Sequence, residues 1–168
     1  EELITLPVAV PGLATALALI LAYGQIRGFR QSFGFILVGH LVFTLPFMVR
    51  SVLAVLSSFN FQVLEESAAS LGAGFWRRFF GIVLPNARSG IVAGALTVVT
   101  LSIGEFNLTW MMHTPETMTL PVGLADSYAS MRLEIGSAYT LVFFVMITPL
   151  LVALQRYGVQ STRTRKGA

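Results

Sequence analysis

Residues 135–155 read IGSAYTLVFFVMITPLLVALQ, a run without one charged side chain. About 20 apolar residues in a helix cross the ~30 Å hydrocarbon core of a bilayer, so this stretch alone marks the chain as membrane-spanning. Working outward, three further long apolar stretches qualify, broken only by Arg50, Arg88 and Glu105, because an Asp, Lys or Arg at mid-bilayer costs about 2.5–3.5 kcal/mol on insertion scales. The expected spans are about 3–24, 33–56, 86–112 and 134–156, which predicts an all-α, polytopic membrane helix bundle. Composition agrees: of 168 residues 55% are hydrophobic and 11% charged, with a mean hydropathy of +0.76, whereas a soluble domain is roughly one quarter charged. A water-soluble globule is excluded. The net charge of +3 is too small in so apolar a chain to suggest nucleic acid, and the lipid bilayer is the first partner.

The connections differ in character. Residues 24–33 form a short polar turn, 113–134 read as a loop broken by Pro115, Pro121 and Gly123, and 57–84 are long and amphipathic. The basic tail 157–168 reads as frayed. With four spans, the N-terminus, the 57–84 connection and the tail share one side, which carries Arg50, Arg77, Arg78, Arg88, Arg156, Arg163, Arg165 and Lys166; the other side carries Arg27, Arg30 and Arg132. The bias of positive charge places the 57–84 connection and the C-terminus in the cytoplasm, with Arg27 and Arg30 acting against it. The opening Glu1-Glu2-Leu3 has no initiator Met and no signal-peptide pattern, so the chain reads as an internal fragment.

Residues 65–85 read EESAASLGAGFWRRFFGIVLP. Helix-favouring residues run to Leu71, Glu65 and Glu66 fall in the first turn where acids complement the helix dipole, and Gly72 and Gly74 can end the helix. A surface helix over about 62–73 is expected. Its Ser67, Ala68, Ala69 and Ser70 carry almost no bulk and allow a partner's backbone to come close. The aromatic Phe75, Trp76, Phe79 and Phe80, interleaved with Arg77 and Arg78, suit a segment at the lipid headgroups. The stretch resembles the EAA signature, E-A-A-x3-G-x9-I-x-L-P, of permease subunits of binding-protein-dependent ABC importers: Glu66, Ser67, Ala68, Gly72, Ile82, Leu84 and Pro85 fall on its spacing, with Ser67 in place of the first Ala. The resemblance extends to Leu6-Pro7 through Pro11-Gly12, to Leu45-Pro46-Phe47 with Arg50, and to Ile103-Gly104-Glu105-Phe106. It implies a fragment of a six-span type I importer permease. Glu65, Glu66, Ser67, Ala68, Ala69, Gly72, Ala73, Ile82, Leu84 and Pro85 would then form a coupling helix and its approach, seated on an ATPase subunit.

Other chemistry is sparse. There is no cysteine, and Lys166 is the one lysine, so a P-loop, which needs a lysine inside G-x-x-x-x-G-K-[ST], is absent. ATP would belong to a partner subunit, with no cofactor in this chain. His40 and His113 are far apart without metal-ligand spacing around either, so no metal is expected. Glu105, the one acid inside an expected span, has two open readings: a translocation-path residue near the outer gate with Asn107 and Thr109, or a hydrogen-bonding group between helices or at the interface. His40 is either a packing element or a path residue relaying protons. Gly90 and Gly94, with Ser89 and Ala93, make a small-residue face for close helix packing. Pro7, Pro11 and Pro46 read as kinks.

The resulting expectation is a permease subunit, not itself an enzyme, in a bacterial inner membrane. Its partners would be ABC ATPase subunits, a second permease subunit and an external substrate-binding protein. The resemblance points to a polyamine-type solute, with relatives for aminoethylphosphonate, thiamine or ferric iron. An intramembrane enzyme built on His40 and a span serine, or a passive channel or scaffold, are the rival readings.

Overall fold

The computed structural model describes residues 12–163, with side chains for 12–156. All regular elements among them are helical: α1 (Gly12–Tyr23), α2 (Arg27–Arg30), α3 (Phe33–Leu56), α4 (Phe61–Ser70), α5 (Phe75–Gly104), α6 (Asn107–Met112), α7 (Leu120–Ala129) and α8 (Leu133–Arg163). Three are long and apolar enough to cross a bilayer: α3, α5 and the Leu133–Arg156 part of α8. The all-α membrane-bundle reading holds. Of the first expected span, only α1 is described; Pro7, Pro11 and the remainder of 3–11 lie outside the described residues, as do 164–168. The described residues fall into two compact units, one holding those up to Pro46 and Val98–Val152, the other Phe47–Thr97 and those from Ala153.

Four boundaries depart from expectation. The span expected at 86–112 starts earlier and stops sooner. Pro85 does not begin a helix but is threaded into one: it cannot donate to the carbonyl of Gly81, and Phe79–Val83 just before it widens into a π turn that absorbs the defect. The helix then ends at Gly104, and α6 restarts as a separate element. The loop expected over 113–134 contains α7, because Pro121 sits in its first turn, where a missing N–H costs nothing. The tail read as frayed continues α8 as helix to Arg163.

The first unit is built around α6. Leu108 and Met112 of α6, Ala16 of α1 and Phe35 and Ile36 of α3 are buried together, with Leu19, Ile20, Phe29 and Phe43 packed against them. Gly39 permits this approach: a Cβ there would lie 2.8 Å from the Met112 sulfur. In the second unit Gly90 and Gly94 of α5 lie against the C-terminal half of α3. A Cβ on Gly90 would meet Ser51 O at 2.8 Å and Val52 Cα at 3.0 Å, and one on Gly94 would meet Met48 Sδ at 2.6 Å. Ser51 Oγ donates to Gly90 O across this seam at 3.1 Å. Elsewhere large apolar side chains stay outward, among them Leu21, Leu141 and Val145, each at least two-thirds exposed, as suits helices solvated by lipid tails.

Candidate functional site

Two sites carry the residues singled out in the sequence. In the second unit, α4 runs Phe61–Ser70 with no buried residue. Because it begins at Phe61, Glu65 and Glu66 fall in its second turn and not in the first, so the expected pairing with the helix dipole is not made. Its end is a Schellman cap: Gly72 N–H donates to Ala69 O at 2.9 Å and Ala73 N–H to Ala68 O at 3.0 Å, with Gly72 at φ +80°. A Cβ at Gly72 would meet nothing within 4 Å. Glycine is therefore required here by the backbone conformation, not by crowding. Glu66, Ser67, Ala69 and Gly72 are exposed, and Ala68 and Ala73 half-buried. Ser67 and Ser70 turn their hydroxyls back to Val63 O at 2.6 Å and Ser67 O at 2.8 Å, so the small-residue end of α4 keeps its hydroxyl hydrogens on its own backbone.

The helix is tied to the next by one ion pair. Arg78 Nη1 donates to Glu65 Oε1 at 3.2 Å. Beyond it, Phe75 and Phe79 stack at 6.2 Å, and Trp76 and Phe80 at 6.0 Å. Ile82, half-buried, lies in the π turn; Leu84 and Pro85, both exposed, open the regular part of α5 that follows. The ten residues named for this region thus occupy α4, its cap and the start of α5.

The polar cluster of the first unit centres on His40. Its Nδ1 lies 2.7 Å from Ser102 Oγ of α5 and its Nε2 2.7 Å from Thr109 Oγ1 of α6. A neutral imidazole donates at one nitrogen and accepts at the other, so both ring positions are satisfied and three helices are pinned at one side chain. Thr44 Oγ1 donates to His40 O at 2.6 Å. This is the geometry of a hydrogen-bonded packing element. A cavity of about 470 Å³ opens beside it, lined by Leu37, Ser102, Thr119, Pro121 and Met146 among others. The Thr119 hydroxyl is buried there without a hydrogen-bond partner among the described residues.

Glu105 occupies the break between α5 and α6. Its Oε1 accepts from the Leu108 N–H at 2.7 Å, so the carboxylate caps the N-terminus of α6 and complements the positive end of its dipole. The other end is closed by Arg30, which in the sequence stands out only as an exception to the charge bias. Arg30 Nη1 donates to Met112 O at 2.6 Å, Nη2 reaches Met111 O at 3.5 Å, and its guanidinium lies 5.0 Å over the Phe35 ring. A short helix of six residues thus has an anion at its start and a cation at its end. Asn107 is exposed and joins neither group. Among the described residues no three His, Asp or Glu side chains gather as a metal site would need.

The profile of the family described as "Binding-protein-dependent transport system inner membrane component" matches residues 1–165. The molybdenum transport system permease protein ModB of Escherichia coli K12 is 27% identical over 183 residues, covering 99% of this chain and 79% of that protein. The sulfate transport system permease protein CysW of Synechocystis is 33% identical over 122 residues, covering 68% of this chain and 44% of that protein. The putative 2-aminoethylphosphonate transport system permease protein PhnV of Salmonella typhimurium is 29% identical over 154 residues, covering 90% of this chain and 57% of that protein. The chain therefore spans about half the length of the last two.

Proposed function

The chain belongs to the family of binding-protein-dependent transport system inner membrane components, and from that premise we propose that it is the permease subunit of an ATP-driven importer whose ATPase is a separate chain. The observation that carries the coupling role is α4: a helix with no buried residue, small from Ser67 to Ser70 and ended by Gly72 at φ +80°, on the EAA spacing. Residues 57–84 and the C-terminus face the cytoplasm, Glu66 through Gly72 seat on the ATPase, and a second permease subunit and a substrate-binding protein complete the assembly in a bacterial inner membrane. ATP binding then drives alternating access, because an ATPase dimer that binds two permease states unequally shifts their equilibrium by that difference.

For the solute we propose a tetrahedral oxyanion or oxyacid in place of a polyamine. Sulfate and 2-aminoethylphosphonate, which the relatives' names carry, have this chemistry, and molybdenum in water is molybdate. Support also comes from the Thr119 hydroxyl, a neutral group buried beside the cavity without a hydrogen-bond partner among the described residues. The test is ATP-driven uptake into proteoliposomes holding the assembled importer and its binding protein. Uptake of labelled molybdate, sulfate or 2-aminoethylphosphonate, with putrescine excluded, is expected. Uptake of putrescine alone would return the assignment to polyamines, and ATP-independent flux would favour a passive channel.

A further inference from the structure

The helix α5 is longer than a bilayer needs. Its 30 residues extend about 45 Å at 1.5 Å per residue, against a hydrocarbon core of ~30 Å. The surplus has a definite end. Every charged side chain of α5 lies between Arg77 and Arg88, and residues 89–104 carry none. The N-terminal portion therefore stands outside the hydrocarbon, and it is there that Phe75, Trp76 and Phe80 are 62%, 68% and 59% exposed. Aromatic side chains left in water would forfeit burial energy, whereas the headgroup layer suits the amphipathic indole of Trp76 and lets the phenyl rings beside it reach the acyl boundary.

The arrangement is ordered. Phe75, Trp76, Phe79 and Phe80 recur at helix-face spacing and join in two parallel stacks, Phe75 on Phe79 at an interplanar angle of 18° and Trp76 on Phe80 at 19°. Beside this plate Arg77 is exposed and forms no ion pair with the described residues, whereas Arg78 is committed to Glu65. We propose that the aromatic plate and Arg77 form a docking surface for anionic phospholipid headgroups: the rings enter the headgroup layer and the free guanidinium meets a phosphate. Because Arg78 links the same turn to Glu65, the lipid contact also seats α4. The lipid contact rests on membrane insertion alone, so it stands or falls separately from the importer reading.

Trp76 supplies its own probe. The sequence has two tryptophans, so Trp110→Phe in the full-length protein leaves Trp76 as the single emitter; Trp110→Tyr serves if that variant folds poorly. The protein is placed in nanodiscs of mixed phosphatidylcholine and phosphatidylglycerol, with bromine on one lipid class or the other at equal mole fraction. Quenching of Trp76 is expected from both, with phosphatidylglycerol enriched about fivefold per molecule, the factor one basic residue supplies at an anionic surface. Arg77→Gln should abolish the enrichment and Arg77→Lys should keep it. Absence of quenching would place Trp76 against protein or water, and equal quenching by both lipids in the parent would remove the headgroup specificity; either result overturns the proposal.

Discussion

Arg30→Ala is the perturbation that most sharply probes how the first unit is held. The guanidinium makes a hydrogen bond of 2.6 Å to Met112 O and lies 5.0 Å over the Phe35 ring. A hydrogen bond to a charged group contributes about 1.5–3 kcal/mol, a cation at a helix C-terminus about 0.3–1 kcal/mol, and a cation–π contact about 0.5–1 kcal/mol at exposed sites. These overlap in one side chain and do not add, so the expected loss is about 2–3 kcal/mol. Arg27 is the control: it is exposed, has no described side-chain bond, and its replacement by Ala should stay within about 0.5 kcal/mol of the parent. Arg30→Lys keeps the charge but loses the planar fork and should recover part of the loss. The assay is mixed-micelle denaturation followed by Trp110 fluorescence in a Trp76→Phe background, because Trp110 lies on α6 itself, its ring 5.3 Å from Phe106 and 5.5 Å from His113. If Arg30→Ala and Arg27→Ala unfold at the same denaturant fraction, Arg30 does not close α6 and the capping argument is wrong.

Three further outcomes follow from the same geometry. Gly90→Ala should cost about 1–3 kcal/mol and Gly94→Ala distinctly less by the same denaturation, because the new methyl meets backbone atoms of Ser51 and Val52 in the first case and first meets the flexible tip of Met48 in the second. His40→Leu strands Ser102 and Thr109 and should cost about 2–4 kcal/mol; uptake normalised to folded protein should persist, and its complete loss in a folded variant would restore His40 to the path. Met131 sits at φ 56° at the end of α7 with the same kind of cap that Gly72 makes after α4. Met131→Gly should therefore stabilise, and Gly72→Ala destabilise, by about 1 kcal/mol each, and thermal unfolding shifts of the same sign for both would refute this.

The membrane-bundle class is legible because it depends on composition and on uncharged runs, such as 135–155, that no neighbour can disguise. Helix ends are less so. Pro85 reads as a beginning because a proline usually is one, and only the π turn at Phe79–Val83 lets the helix pass through it. Pro121 reads as a breaker although it sits where a helix starts. At the polar cluster the residue types are visible but their partners are not. His40 finds Ser102 and Thr109 more than sixty positions away, and Arg30 reaches α6 across 82 positions. No local pattern announces such pairs. Glu105 is ambiguous for the complementary reason: its partner is only three residues on, but the helix it caps cannot be foreseen while 86–112 reads as one continuous span.

In the proposed function α4 hands the work of a separate ATPase to this chain. Because the protein has no cysteine, Ala69→Cys introduces a single thiol on an exposed position of α4. In the reconstituted importer, with single cysteines placed around the permease-facing surface of the ATPase chain, a disulfide cross-link to that chain is expected. ATP-driven uptake should fall as the cross-link forms and return on reduction. A thiol that stays unlinked and accepts a bulky maleimide while uptake continues at the parent rate would contradict it.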